Sequence, residues 1–175
     1  MYAGHVGIAL ALRRVPGAPP LWLLALAAQG PDWGDLLREL VGPLPGDPVW
    51  WLPHALPLLL AGAALAGALA WWQVRSGRAV ALVAAAWLSH WPADWLTGLK
   101  PTYVGGPWLG LRWFEQRPWL DLAVEGALLV VGWLLWRRTL PTPPPPRARA
   151  VASLALAALL VLQLTVDLVF ASAHR

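Results

Sequence analysis

No cysteine occurs in the chain. This excludes disulfides and thiolate metal sites, so a metal centre here would be built from imidazoles and carboxylates. Charge is scarce as well. Asp, Glu, Lys and Arg together make up 13% of the residues, where a soluble domain carries roughly a quarter. Hydrophobic residues reach 58% and fall in long runs that a water-soluble core has no use for. The composition predicts an all-α integral membrane protein, and 175 residues suit a single domain. No internal repeat is visible. The net charge of +4 does not point to nucleic acid, because the arginines sit beside apolar segments, as topology signals do. A secretory signal is not expected either: Arg13 and Arg14 follow the first apolar stretch, and His5 interrupts it.

The apolar segments are unequal. Tyr2 to Leu12 has a helical pattern, but eleven residues rise only about 16 Å against a hydrocarbon core of about 30 Å. It is expected to be a half-helix that enters the membrane without crossing it. Leu21 to Gly42 is a weaker span, interrupted by Gln29-Gly30-Pro31-Asp32 and amphipathic beyond that point. Broken helices are tolerated at membrane depth where they line a cavity. Val41 to Pro53 reads as a loop, with Trp50 and Trp51 as an interfacial belt. His54 to Val74, Ala79 to Leu96, Trp119 to Trp136 and Val151 to Phe170 read as full spans, and Gly98 to Pro118 as an irregular loop. The expected fold is a polytopic transmembrane bundle of about five spans plus the half-helix. Residues 1–138 would form the site-bearing bundle, 139–149 a stiff Pro-rich basic connector and 150–170 the last transmembrane helix.

If the spans alternate, Arg13, Arg14, Arg75, Arg78, Arg137, Arg138, Arg147 and Arg149 share one side, which the positive-inside rule makes cytoplasmic. The expected location is the inner (cytoplasmic) membrane. The same alternation sends all nine acids, with His5, His54 and His90, toward the other half.

One stretch organises the chemistry. In Ser89-His90-Trp91-Pro92-Ala93-Asp94 a histidine and an aspartate stand at i and i+4, on one helix face. Ionisable residues inside apolar segments are costly, and they point to function by default. His5, Asp32, His54, His90 and Asp94 are the candidate ligands of a divalent metal, with zinc favoured over manganese. Asp32 or Glu125 is the candidate general base. Lys100, Arg112 and Arg117 are the candidate clamp for an anionic substrate group, although headgroup snorkelling is the somewhat better explanation of them. The plainer reading of His90 and Asp94 is an interhelical hydrogen bond, and Pro31-Asp32 can serve as a helix cap. His174, near the C-terminus, is read as solvated.

Gly4-His5, Pro31-Asp32, His54 and His90-x-x-x-Asp94 in this order resemble the membrane-bound metal-dependent hydrolases of the YdjM/YbcI-like group. Ser89 to Thr97, Lys100-Pro101, Gly105-Gly106, Leu109-Gly110-Leu111, Trp113 and Val124-Glu125 look like one branch of it. That branch often has a second histidine where Gly98 stands, and an acid where Thr102 stands. His-x-x-x-Asp is also loosely similar to zinc-dependent phospholipase C enzymes. The resemblance implies hydrolysis of an ester or phosphoester of a lipid-like substrate, with membrane lipid as the partner. The alternative is a non-enzymatic membrane protein, structural or a small transporter, whose His/Asp cluster only links helices.

Overall fold

Prolines set most of the helix boundaries. The computed structural model describes residues 3–41, 52–103, 105–141 and 145–173. Helix α1 (Ala3–Leu12) ends before the turns at Arg13 and Arg14. Helices α2 (Leu21–Ala28) and α3 (Gly30–Val41) are two halves of one broken helix. Pro31 has no N–H to return to the Ala27 carbonyl. The backbone still runs on through Gln29, whose N–H bonds Ala25 O at 3.2 Å and whose carbonyl accepts from Trp33 N at 3.2 Å. A 3₁₀ turn (Leu52–His54) leads into α4 (Leu56–Val74), which stops at Arg75 in the left-handed region, φ 53°.

The Ala79 to Leu96 segment, expected as one span, is instead two helices, α5 (Gly77–Leu88) and α6 (His90–Thr97). Pro92 is the cause: its ring crowds the Leu88 carbonyl and offers it no N–H. The loop expected between Gly98 and Pro118 contains a small hairpin, β1 (Lys100–Pro101) with β2 (Trp108–Leu109), paired Lys100 to Leu109 and Pro101 to Trp108. A short α7 (Trp113–Gln116) precedes α8 (Pro118–Arg137). Helix α9 (Pro146–Ala173) begins inside the stretch expected as connector. Pro146 suits a first helical position, where no N–H is required. Trp50, Trp51 and His174 lie outside the described residues.

Among the described residues, three helices are long and apolar enough to cross a membrane: Leu56–Val74, Pro118–Arg137 and Ala150–Val169. Their outward faces leave Leu60, Leu65, Val131, Leu154 and Val161 exposed. A soluble protein rarely shows so much contiguous apolar surface, and these walls suggest a membrane protein. The other two expected crossings are the two broken helices.

Helix α1 is the packing centre, against α8 on one side and α2 on the other. A Cβ on Gly132 would strike the Gly7 carbonyl, and one on Gly7 would strike the Leu128 carbonyl. The two backbones are in direct contact, as small residues allow. Across the bundle, Ala9, Leu24, Ala27, Ala28, Ala70, Val83 and Ala86 form a mainly alanine core joining α1, α2, α4 and α5. Trp87 fills the gap between Gly30 and Gly62, neither of which has room for a side chain. These contacts hold both helix breaks at one level.

Candidate metal centre

The breaks and the 3₁₀ turn each deliver one part of a buried cluster. Asp32 stands in the first turn of α3, His54 ends the 3₁₀ turn, and His90 opens α6 with Asp94 one turn later. His54, His90 and Asp94 are at most 2% exposed, and Asp32 is partly open. One ligand atom from each of the four lies within 4.8 Å of all the others.

The spacing is informative. His54 Nε2 lies 3.0 Å from His90 Nε2, 3.5 Å from Asp32 Oδ1 and 3.3 Å from Asp94 Oδ2. His90 Nε2 lies 3.4 Å from Asp32 Oδ1 and 3.1 Å from Asp94 Oδ2. With metal–ligand distances of 2.0–2.2 Å, the edges of a tetrahedral shell are about 3.3–3.6 Å. Five of the six edges therefore stand within a few tenths of an ångström of that geometry. This His₂Asp₂ cluster can hold a metal ion.

The hydrogens agree. His90 Nδ1 lies 2.9 Å from Ala28 O. A carbonyl only accepts, so Nδ1 carries the hydrogen, and in the neutral ring Nε2 turns a lone pair inward. His54 Nδ1 lies 3.3 Å from Asp35 Oδ2, and a carboxylate there fixes the same tautomer. With both rings neutral, two imidazole lone pairs and two carboxylate oxygens converge, an arrangement that can accept a cation at its centre beside the Lys100 ammonium, 2.7 Å from Asp94 Oδ2. The Ala28 carbonyl is at hand because the helix is broken just beyond it.

His5, expected as a ligand, takes a different place. Its Nε2 bonds Asp94 Oδ1 at 3.1 Å, the oxygen turned away from the four-atom set. Its ring stacks on His90, with centroids 3.9 Å apart and planes at 16°. In this position it can orient Asp94, a candidate ligand. Asp35 is the group that sequence reading passed over as part of a polar face. Its spacing of three from Asp32 was the available signal.

Lys100, placed by the hairpin, sits 2.7 Å from Asp94 Oδ2 at the rim. It meets a ligand of the centre directly. Arg112 is exposed and pairs with Glu115 through Nε at 2.7 Å, and Arg117 is exposed at the start of α8. Glu125 is fully buried and accepts from Gly4 N at 3.1 Å, one residue before His5. Near it Gln163 Oε1 accepts from Ala3 N at 3.1 Å and its amide donates to Asp167. The first turn of α1 is thereby capped by α8 and α9, a link that spacing along the chain does not reveal.

No protein family, curated protein or solved structure matches this chain. Its chemistry has to be read from the centre itself.

Proposed function

We propose that the protein is a multi-pass inner-membrane hydrolase that cleaves an ester or phosphoester of a lipid-like substrate at a metal centre. The resemblance to YdjM/YbcI-like hydrolases implies the same class. The observation that carries this reading is the convergence of four lone-pair donors from three separate chain segments at tetrahedral spacing. Two imidazoles and two carboxylates favour zinc, with manganese second. A divalent ion held there by His54, His90, Asp94 and Asp32 would need a fifth position for a water, and would supply a water of pKa near about 7 and a Lewis acid for the bond to be cut.

The chain's own groups have separate tasks. His54, His90 and Asp94 bind. Asp32 would bind through Oδ1, and its buried Oδ2 has no hydrogen-bond partner among the described residues, which suits a general base. His5 aims Asp94. Lys100 stands at the rim, where an anionic oxygen of the substrate would arrive, and Arg112 and Arg117 lie further out for a lipid headgroup. Glu125 acts through α1. The two broken helices count as crossings in this reading, giving about five spans, with the arginine-rich ends cytoplasmic and the centre toward the opposite face.

The test is metal content. Protein purified after growth with zinc and manganese supplied is expected to carry one equivalent of metal. His90→Ala and Asp94→Asn are expected to lose it while keeping their helical circular dichroism. Vesicles of headgroup-labelled phospholipid are then expected to release label only with the metal-loaded wild type. A wild type that takes up neither ion would end the proposal.

A further inference from the structure

Counted as one broken helix, α2 and α3 have two sharply different sides. Trp22, Leu26, Trp33, Leu37 and Leu40 are 54%, 48%, 48%, 62% and 76% exposed. At 3.6 residues per turn they fall within about 60° of arc. Leu24, Ala28, Pro31 and Asp35 fall on the opposite side, and the first three are buried. The exposed stripe is entirely apolar and runs the length of the pair. Leu21 to Val41 rises about 31 Å, the thickness of the hydrocarbon core. Both halves pack on α4, whose own exposed face carries Leu58, Leu60, Leu65 and Leu69. The stripe thus continues the apolar wall of a helix long enough to cross a membrane.

The same broken helix forms the open wall of the metal centre. Among the groups around it, Asp32 is 29% and Asp35 39% exposed, while His54, His90 and Asp94 are nearly sealed. Lys100 on the hairpin is the other open group, at 19%. Access to the centre therefore lies along α3, between the apolar stripe and the hairpin.

We propose that the stripe Trp22–Leu26–Trp33–Leu37–Leu40 is covered by bilayer lipid, and that the centre is served sideways from the leaflet it faces. Its partner is a membrane phospholipid, whose acyl chains lie on the stripe while the phosphoester reaches past Asp32 toward Lys100. The lipid's fate rests on the hydrolase reading, but its place on α2 and α3 does not. A soluble phosphoester, by contrast, would meet this wall from water, where such a stripe would not stay exposed.

The absence of native cysteine makes the test direct. Leu26→Cys, Leu37→Cys and Leu40→Cys, each labelled with an environment-sensitive fluorophore, are placed in phosphatidylcholine nanodiscs. Quenching is read with lipids carrying nitroxides at different depths and with aqueous iodide. Lipid quenchers are expected to reach all three positions and iodide none of the first two. The Leu26 and Leu40 labels are expected on opposite sides of the midplane, about 21 Å apart along the helix, with Leu40 nearer its interface and Leu26 nearer the midplane. Iodide quenching at Leu37 would overturn the proposal by placing the face in water. Shielding from both quenchers would overturn it by showing protein on the face, a second copy or another segment of this chain. Zinc is measured on the same samples, so a water-facing stripe with zinc retained removes only this inference. An unloaded wild type with a lipid-facing stripe removes only the hydrolase.

Discussion

His5→Phe separates a ligand from a residue that aims one. The phenyl ring keeps the stacking surface that His5 offers His90 at 3.9 Å and removes the hydrogen bond to Asp94 Oδ1. If His5 only orients Asp94, the four inward atoms survive, and what is lost is the restraint on the carboxylate. Outer partners of metal ligands contribute 10–100-fold in affinity, or about 1.4–2.7 kcal/mol. His5→Gln can still donate from its amide and is expected to recover part of the loss. His90→Ala, which removes a ligand atom and the Ala28 contact together, is expected to abolish stoichiometric binding. The assay is zinc competition in detergent against a chelator of known affinity, with a melting curve for each variant. A His5→Phe loss as large as that of His90→Ala would make His5 a ligand and refute the geometry described above. No loss at all would show that Asp94 is held without it.

Lys100→Met removes a positive charge 2.7 Å from Asp94 Oδ2 and is expected to tighten zinc binding while slowing release of an anionic headgroup. Both are measurable on one preparation. Gly132→Val drives a side chain into the Gly7 carbonyl and is expected to lower the melting temperature, since overpacking costs about 1–3 kcal/mol even where neighbours can move. Zinc affinity should fall with it, because α1 carries His5. A cysteine in the Ser76 turn is expected to resist an impermeant thiol reagent on intact cells, and one at Gly105 to react. The opposite pattern would invert the topology.

Much of the centre was legible in the sequence, and the reasons are physical. His90 and Asp94 announce themselves because a helix repeats every 3.6 residues and because a charge in an apolar run has few structural uses. Asp32 follows from its Pro-Asp position at a break, and His54 from the opening of a clear span. What spacing cannot carry is which atom faces which. His5 lies at the right depth and beside the right residue, yet its nitrogen meets the outer oxygen of Asp94. Asp35 has the same chemistry as Asp32 and was hidden by a plausible amphipathic pattern. The divided third span was hidden as well: hydropathy averages over Ser89 and Pro92, whereas the backbone cannot. The tie from Glu125 and Gln163 to α1 joins residues more than a hundred positions apart, beyond any local pattern.

The Ala28 carbonyl has a consequence for how this protein would answer a mutational survey. It fixes the hydrogen of His90, yet it belongs to the backbone of a residue that is already alanine. An alanine scan passes over position 28 in silence, and a conservative replacement there keeps the oxygen in place. The contact would show through Pro31, three residues on: restoring an N–H there gives the Ala27 carbonyl its ladder partner, and the helix made regular around it brings Asp32 N into competition for the Ala28 carbonyl. A loss of metal on Pro31→Ala, at a position with no ligand atom and with the helix itself made more regular, would be the mark of a centre held partly by main chain.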